Sequence, residues 1–453
     1  MSKFLILDLG TTYFKACLFD ESGQLVGLHR ALAPVQHPAD GRAELPVAKF
    51  QNSLIQAINE LALEAGGLHD VAAVSFATQT NSFALLDQHD EPLTPIFLWT
   101  DQRAFNRENP LRDLEALANF QAKTGLPSLD HHFLPAKIRW LQQHQPKVLE
   151  QTRRLVLMSD YLTWWLTGRH ITEAGTAGFV GLVDIHKLQW WPEACAQIGI
   201  PLDWLPTIVR AGTVAGPLLP NVAKTLGLPR DCQFIVGCLD QYAGAIGAGN
   251  LTPGRISETT GTVIATVRYS NHFEIDGPTD LFQGPSFQEG SYYQMVCSDI
   301  SARLLENYRR RWDDLPDFAE LDKWATNAPP GAEGLTLHPD APNRTGAEIF
   351  LNRQDHHTAG HEVRAILEAV ASELDRQVQL LCGQSRPQEV RSAGGAARSK
   401  LWLQIKSDTL GCPVQATDCV EPTSLGAAML ARHTLQGTSL SELARQWVRA
   451  PKS

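Results

Sequence analysis

The sequence predicts an α/β protein built from two related domains, and three observations lead to that fold class. The chain opens with a strand–turn–strand unit: apolar residues 4–7, the turn DLGTT at residues 8–12, and a second apolar run at residues 14–19. The same pattern returns at residues 256–267, around the turn TTGT. The length of 453 residues exceeds that of a usual single domain. We therefore expect one such unit in each half of the chain.

Both turns combine glycine with threonine, a composition that suits phosphate binding. Glycine lets backbone N–H groups approach an anion closely, and threonine hydroxyls add further donors. We therefore predict that ATP is bound by Gly10, Thr11 and Thr12 in the first turn and by Gly261 and Thr262 in the second. Either turn alone could be an ordinary β-turn, since both residue types are common there. Their repetition favours a polyphosphate held in a cleft between two domains.

Composition and charge exclude several classes of protein. The formal net charge of −10 argues against nonspecific binding to nucleic acid or to an anionic membrane. The eight cysteines show neither zinc-site spacing nor a disulfide framework, so we expect thiols in a reducing compartment. The first residues enter a strand without the apolar segment of a signal peptide, and no apolar stretch approaches the roughly 20 residues of a membrane span. We expect a cytoplasmic protein without nucleic-acid or membrane partners.

The rest of the chain alternates strands with helices. Apolar spacing predicts a helix at residues 49–65, and residues 103–215 are predicted to be mainly helical. The turn-rich segment LTPG at residues 251–254 is the candidate domain boundary. It gives an N-terminal domain of residues 1–250 and a C-terminal domain of residues 251–453.

Asp240 is the predicted catalytic base. It follows a short apolar strand and precedes a helix of small residues that begins near Gln241. Phosphoryl transfer needs the acceptor hydroxyl to be oriented and relieved of its proton, and a carboxylate at the end of a strand can do both. The alternative is an aspartate that only caps the helix.

Polar residues at the ends of the early strands are candidates for the pocket of a polyol acceptor. Trp99 would form an apolar wall against the carbon face, and Asp101 would accept hydrogen bonds from hydroxyl groups. Arg103 could equally form a surface ion pair with Asp101. The predicted substrate-binding residues are Gln79, Thr80, Asn81, Trp99, Asp101, Arg103 and Gln241.

Asp8 has no hydrogen to donate to phosphate, so we predict that it holds Mg²⁺ through water. Near the other end of the chain, Gly394 and Gly395 follow a strand and precede a helix, so the backbone there can pass close to a nucleotide. Ser424 opens a run of small residues that could accept a flat ring. Close helix packing is the alternative explanation for these small residues.

Several short motifs together resemble one known family, the FGGY carbohydrate kinases of the actin-like, ribonuclease-H-like ATPase superfamily. The resemblance implies two ribonuclease-H-like domains with a catalytic cleft between them, the first holding the sugar and the base, the second the nucleotide. It gives Asp240 the role of base, and Gly394, Gly395, Ser399 and Ser424 an adenosine pocket. The motifs are DLGTT at 8–12, FLWTDQR at 97–103, LTG at 166–168, GCLDQ at 237–241 with GAG at 247–249, TGT at 260–262, AGGAARS at 393–399 and SLGAA at 424–428.

The resemblance implies an enzyme that uses ATP and Mg²⁺ to phosphorylate a hydroxyl of a small ketose. A xylulose-like ketopentose is the first choice, because the chain as a whole is most like the xylulokinase branch. Two departures leave the acceptor open: residues 350–361 lack the family's glycine-containing signature, and residues 79–81 (QTN) differ from the sugar-side segments of xylulokinases and glycerol kinases. The alternatives are a polyol kinase for glycerol or erythritol, a non-sugar actin-like ATPase, and a degenerate regulator that binds a sugar phosphate. A homodimer is one option for the assembly.

Overall fold

The computed structural model describes residues 2–275, 277–383 and 385–449. Their contacts divide them into two compact units. The first unit comprises the described residues of Met1–Gly247, Asn271–Tyr293 and Thr423–Trp447, and the second those of Ala248–Ser270, Gln294–Pro422 and Val448–Ser453. The assignment of sugar binding to residues 1–250 and of nucleotide binding to residues 251–453 stays a prediction.

The described residues form strands of two to eight residues. They are β1 (Lys3–Leu9), β2 (Tyr13–Phe19), β3 (Leu25–Leu32), β4 (Glu44–Leu45), β5 (Val71–Thr78), β6 (Phe83–Leu86), β7 (Ile96–Phe97), β8 (Arg154–Leu157), β9 (Ile171–Glu173), β10 (Val183–Asp184), β11 (Gln189–Trp190), β12 (Thr207–Val209), β13 (Val214–Pro217), β14 (Gln233–Ile235), β15 (Cys238–Leu239), β16 (Ile256–Thr260), β17 (Ile264–Ser270), β18 (Phe282–Pro285), β19 (Tyr292–Ser298), β20 (Thr336–Leu337), β21 (Phe350–Leu351), β22 (Val390–Ala393) and β23 (Val414–Ala416).

The helices alternate with these strands. They are α1 (Val47–Glu64), α2 (Arg112–Glu115), α3 (Phe120–Thr124), α4 (Leu134–His144), α5 (Pro146–Gln151), α6 (Met158–Thr167), α7 (Ala174–Gly178), α8 (Pro192–Ile198), α9 (Pro220–Thr225), α10 (Asp240–Gly247), α11 (Ala302–Arg309), α12 (Phe318–Thr326), α13 (Ala359–Cys382), α14 (Lys400–Leu410), α15 (Pro422–Gln436) and α16 (Leu440–Trp447). None of the helices in the described part of the chain is long and apolar enough to cross a membrane.

The main sheet of the first unit has the strand order β13-β14-β5-β1-β2-β3, with β15 also paired to β5. Strand β1 runs antiparallel to β2 and parallel to β5, and β15 is parallel to β5 as well. The carboxyl ends of β1, β5 and β15 therefore lie at the same edge of the sheet. That edge is where open α/β sheets place their ligands.

Helix α1 covers one face of this sheet because its apolar residues recur at helical spacing. Phe50, Leu54, Ile58 and Leu61 are almost completely buried and belong to the same core as β1 and β5. An apolar stripe at this period drives a helix onto a sheet, since each buried aliphatic or aromatic side chain contributes roughly 1.5–3 kcal/mol. The helix predicted at residues 49–65 is confirmed.

The second unit contains the other strand–turn–strand pair. Strand β16 pairs antiparallel with β17 and parallel with β22, and β22 continues parallel to β23. Helices α13 and α14 contribute Ile366, Val370 and Trp402 to the core of this unit. The strand–turn–strand pair predicted for this half of the chain is confirmed, and β22 lies beside β16 as β5 lies beside β1.

The region at residues 103–215 differs from its prediction. Helices α2 to α8 lie there, but they are short, and strands β8 to β12 are interspersed among them after α5. The prediction of a mainly helical region is wrong, because the apolar residues on which it rested are also compatible with two- to four-residue strands in small sheets.

Candidate active site

Acidic and polar residues meet at the carboxyl edge of the first sheet. Asp8 is the penultimate residue of β1, Gln79 directly follows β5, and Asp240 directly follows β15. The parallel pairing puts Asp8 opposite Ala77 of β5, and Leu239 opposite Thr78. Three residues that the sequence predicted for different roles are thus brought to one edge.

Asp240 is the first residue of α10, and its Oδ1 accepts a 2.7 Å hydrogen bond from the backbone N–H of Gln241. The residue as a whole is partly exposed. Burial, and then the negative charge of Asp8, raise the pKa of Asp240 to about 7, while Lys15 acts in the opposite direction. A carboxyl group with such a pKa can accept a proton at neutral pH. Asp240 can both cap the helix and act as the base, because the bond from Gln241 occupies only Oδ1 and leaves Oδ2 for a proton.

Asp8 is paired with a lysine from the returning strand. Lys15 lies opposite Asp8 in the β1–β2 register, and its Nζ lies 3.0 Å from Asp8 Oδ2. The side chains are 9% exposed for Asp8 and 25% for Lys15, so the pair lies at the border of solvent. This pairing holds the carboxylate in a fixed direction.

The first Gly-Thr turn is too tight for any residue except glycine at its start. A Cβ atom at Gly10 would lie 2.8 Å from the backbone oxygen of Tyr13. The hydroxyl of Thr11 accepts a 3.1 Å hydrogen bond from the indole Nε1 of Trp99. A residue predicted for phosphate is thereby bonded to one predicted for the acceptor, within the first unit.

Gln79 is buried and fixed at both ends of its amide. Its Nε2 donates to the backbone oxygen of Leu9 at 3.3 Å, and its Oε1 accepts from Ser82 Oγ at 3.1 Å. Ser82 Oγ also accepts from the backbone N–H of Trp99 at 3.0 Å. Sequence reasoning missed Ser82, although it stands next to the predicted residues 79–81 and connects two of the candidates.

Thr80 and Asn81 are engaged with backbone groups. Thr80 Oγ1 donates to the oxygen of Thr176, at 2.8 Å. Asn81 adopts a left-handed conformation with φ of 57°, which asparagine tolerates better than most residues. Its amide donates to the oxygen of Phe179 and accepts from the N–H of Leu134. Both side chains therefore support the backbone of α7, and Asn81 also supports the start of α4.

Asp101 and Arg103 form a buried ion pair rather than the surface pair that the sequence allowed. Arg103 Nε lies 2.7 Å from Asp101 Oδ1, and neither side chain is more than 2% exposed. Arg103 also binds Glu44, and Asp101 accepts from the N–H of Ala43. Burial alone would raise the pKa of Asp101, but the bonds from Arg103 and Ala43 outweigh it and hold that pKa below its usual value.

Lys137, which sequence reasoning missed, is hydrogen-bonded to the backbone of Trp99. Lys137 is fully buried, and its Nζ donates to the backbone oxygens of Trp99 and His132. Burial lowers the pKa of Lys137 to about 7. The ring of His132 lies 6.0 Å from that of Trp99. The sequence feature that could have drawn attention to this region is the His131–His132 pair, which lies just before α4.

Asp130, His131 and His132 are the only group of potential metal ligands that lie close together among the described residues. His132 Nδ1 already shares a hydrogen bond with Asp130, whose side chain is 56% exposed. The Mg²⁺ ligand predicted from the sequence, Asp8, is not part of this group.

In the second unit, the turn after β16 is held by its own backbone. The N–H of Gly261 donates to the oxygen of Val263 at 3.0 Å, and Ser301 Oγ donates to the oxygen of Thr262 at 2.7 Å. A Cβ atom at Gly261 would meet nothing within 4 Å. The glycine there is not required by the neighbouring protein atoms.

The predicted adenosine residues belong to both units. Gly394 has a positive φ of 84°, and a Cβ atom there would lie 3.5 Å from the backbone oxygen of Thr260, so this turn adjoins the phosphate turn. Gly395 opens a short 3₁₀ segment, and Ser399 Oγ caps α14 by accepting from the N–H of Trp402. Ser424 belongs to the first unit; its hydroxyl is buried and has no hydrogen-bond partner among the described residues.

Comparisons with known proteins place the chain in a family. The N-terminal domain model of the FGGY family of carbohydrate kinases matches residues 3–247, and the C-terminal domain model matches residues 292–435. The chain is 28% identical to a xylulose kinase from Bacillus subtilis (strain 168), covering 99% of this chain and 91% of that protein. It is 28% identical to a glycerol kinase from Janthinobacterium sp. (strain Marseille), covering 99% of this chain and 93% of that protein.

Among solved structures, a xylulose kinase from Lactobacillus acidophilus has the same fold, with a TM-score of 0.88 at 23% identity over 100% of this chain and 93% of that one. The predicted two-domain α/β class of the actin-like ATPases is thereby confirmed. The chain belongs to the FGGY family of carbohydrate kinases, ATP-dependent phosphotransferases that act on small carbohydrates.

Proposed function

We propose that this kinase phosphorylates a hydroxyl of a small ketose, with a ketopentose such as xylulose as acceptor and Asp240 as the base. One observation carries the proposal: Asp240 stands, partly accessible, at the carboxyl edge of the first sheet with Asp8 nearby. A carboxylate there can orient the acceptor hydroxyl and take its proton as the new bond to phosphorus forms. The proton ends on Asp240, and the departing group is ADP.

The two Gly-Thr turns would supply donors to the phosphates of ATP. In the first turn these are the backbone of Gly10 and the donors of Thr11 and Thr12, and in the second those of Thr262. The N–H of Gly261 already donates to the oxygen of Val263, so Gly261 would let the backbone approach the phosphate closely without supplying a donor. Backbone N–H groups in tight glycine turns form concave anion sites. The adenosine would lie near Gly394, Gly395 and Ser399 of the second unit, and the role of Ser424 in the first unit stays a prediction.

Mg²⁺ is the expected companion of ATP, and Asp8 fits it through water. The carboxylate is already paired with Lys15 at 3.0 Å, which favours an outer-sphere contact over direct ligation. Mg²⁺ often keeps several of its waters in phosphate sites. When bound, the ion would neutralise charge on the transferring phosphoryl group.

Of the predicted substrate-binding residues, those that are accessible are proposed to line the acceptor pocket. Trp99 and Gln241 are partly exposed, and Gln79 is fixed beside them by Ser82. Thr80, Asn81, Asp101 and Arg103 would act as the support behind that pocket, because their polar groups bind other parts of the protein. The ketopentose is favoured by the xylulose kinase relatives, and the glycerol kinase relative keeps a polyol as the second candidate.

The test is a comparison of kcat/KM for D-xylulose, L-xylulose, ribulose, erythritol, glycerol and an aldonic acid with Mg-ATP, with the product identified by mass spectrometry. We expect a ketopentose to have the highest value. A higher value for glycerol or erythritol would replace the ketose by a polyol. Sugar-independent ATP hydrolysis, or no turnover at all, would favour the non-sugar ATPase or the degenerate regulator.

The cytoplasm is the proposed compartment, since ATP is the phosphoryl donor. The spacing of the eight cysteines fits no disulfide framework, which supports a reducing environment.

A further inference from the structure

A dry ion pair lies beside the second Gly-Thr turn. Lys406 Nζ of α14 is 2.6 Å from Glu258 Oε1 of β16, and both side chains are 0% exposed. Burying two charges carries a desolvation penalty, and a well-packed apolar pair of similar volume is often as stable or more stable. Stability of the fold therefore does not account for this pair, and its contacts indicate another reason.

Glu258 joins the two turns proposed to hold the nucleotide. Its Oε2 accepts a 2.6 Å hydrogen bond from Thr260 Oγ1, and Thr260 directly precedes Gly261 of the phosphate turn. Its Oε1 accepts a hydrogen bond from Ser392 Oγ, and Ser392 lies two residues before Gly394 of the adenosine turn. One carboxylate is thus bonded to the residues that lead into both turns.

Lys406 completes the arrangement. Its Nζ donates to Thr260 Oγ1 at 2.9 Å as well as to Glu258. The Thr260 hydroxyl therefore donates to one charged group and accepts from the other, which fixes its rotamer. Hydrogen bonds to charged partners are among the stronger ones in proteins.

We infer that Glu258 and Lys406 are positioning residues that hold the phosphate turn and the adenosine turn in one fixed relation, ready for ATP. The inference rests on the proposed nucleotide roles of Gly261 and Gly394. Neither charged group touches ATP, because both are fully buried. They act through Thr260 and Ser392. The backbone oxygen of Thr260 lies close to Gly394, so a shift of the phosphate turn is expected to move the adenosine turn as well.

The test uses Lys406→Met, Glu258→Gln and the double variant Glu258→Met/Lys406→Met in the full chain. Each single variant is expected to raise the KM for ATP and the Kd for Mg-ADP, measured calorimetrically, by about tenfold. The KM for the sugar is expected to stay unchanged.

The double variant separates positioning from stability. Removing both charges is expected to bring Tm back toward that of the wild type, since no unpaired buried charge remains. The Kd for Mg-ADP is expected to stay raised, because Thr260 and Ser392 still lack their common partner. If a single variant does not fold, the Kd of the double variant for Mg-ADP still tests the inference.

A matched control is Arg353→Met, which removes an ion pair of 2.7 Å with Glu362 in the same unit but outside both turns. Its Mg-ADP affinity is expected to equal that of the wild type. Recovery of nucleotide affinity together with Tm in the double variant would overturn the inference and leave the kinase intact. A wild-type protein that binds no Mg-ADP would overturn the nucleotide roles and the inference together.

Discussion

The two Gly-Thr turns both follow a strand that carries a carboxylate–lysine pair, but the burial of that pair differs. In each, a carboxylate on the strand before the turn is paired with a lysine: Asp8 with Lys15 at 3.0 Å, and Glu258 with Lys406 at 2.6 Å. The first pair borders solvent, whereas the second is completely buried. The first carboxylate thus lies at the border of solvent, whereas the second contacts only its protein neighbours.

The glycines of the two turns differ as well. Gly10 is required by the fold, because a Cβ atom would lie 2.8 Å from the backbone oxygen of Tyr13. Gly261 has open space where its Cβ would be. A glycine that the neighbouring atoms do not require is typical of a site that a ligand approaches closely.

The contacts of each turn also point to different tasks. Thr11 of the first turn is bonded to Trp99, a candidate for the acceptor pocket, and the same unit carries Asp240. Thr260 of the second turn is bonded to Glu258, which also holds Ser392. We therefore propose that the first turn combines its phosphate role with contacts to the acceptor side, whereas the second turn serves the nucleotide alone.

The largest expected effect is that of Asp240→Asn. The amide cannot take the proton of the acceptor, so kcat is expected to fall by about 10²–10⁴. The Kd for Mg-ADP is expected to stay at the wild-type value, whereas Lys406→Met is expected to raise it. Stopped assays with Mg-ATP and sugar measure the first quantity and calorimetry the second. Near-normal transfer by this variant would remove Asp240 from the reaction.

The pair Gly10→Ala and Gly261→Ala sharpens the comparison of the turns. Gly10→Ala is expected to destabilise the protein by about 1–3 kcal/mol, because the methyl group overlaps a backbone oxygen. Gly261→Ala is expected to change the free energy of unfolding by less than about 0.5 kcal/mol. It should still raise the KM for ATP by about tenfold if phosphate lies against that backbone. Denaturant unfolding and ATP kinetics give the two quantities; equal destabilisation by both variants would contradict the distinction.

The pH dependence tests the surroundings of Asp240. Its pKa is raised to about 7 by burial and by Asp8, so the base loses its ionised form as pH falls through that value. We expect kcat/KM for the sugar to fall about tenfold per pH unit below the midpoint. A midpoint near 4, that of an ordinary aspartate, would contradict this environment.

The same shift has a consequence for stability. Because the pKa of Asp240 is higher in the folded state than in the unfolded state, its ionisation reduces stability as pH rises from about 4 to about 7. Asp240→Asn is therefore expected to have a higher Tm than the wild type at pH 8 and to lose most of this advantage at low pH. A Tm below the wild-type value at pH 8 would argue against the raised pKa.

The smallest expected effect is that of Trp99→Phe. The variant keeps an apolar ring but loses the bond from Nε1 to Thr11 Oγ1, worth roughly 1 kcal/mol. We expect kcat/KM for the sugar to fall about fivefold, with the KM for ATP changed less. A matched Trp312→Phe, which changes a 40% exposed indole in the second unit, should leave both values unchanged.

The sequence was informative where local chemistry decides the structure. Gly10, Gly261 and Asp240 could be placed at turns and strand ends because glycine, threonine and apolar spacing act over a few residues. The prediction could not reach the pair of Glu258 and Lys406, which are 148 residues apart along the chain. Such a contact depends on which helix packs against which strand.

The acceptor side shows the same limit. Asp101 and Arg103 were predicted as pocket residues or a surface pair, yet both are buried and bonded to residues about 60 positions earlier. Whether a polar side chain faces a ligand or the protein interior depends on burial, which residue type alone does not reveal. The roles of all predicted site residues stay predictions until they are tested by mutation.

The most direct test of the account is the rate of ADP release from Mg-ATP by the wild-type protein, with and without D-xylulose and the other acceptors. The account predicts a slow basal rate and a large stimulation by one ketopentose, with one sugar phosphate formed per ADP. A basal rate that no sugar or polyol changes would contradict it, and the two Gly-Thr turns would then belong to an ATPase without a carbohydrate acceptor.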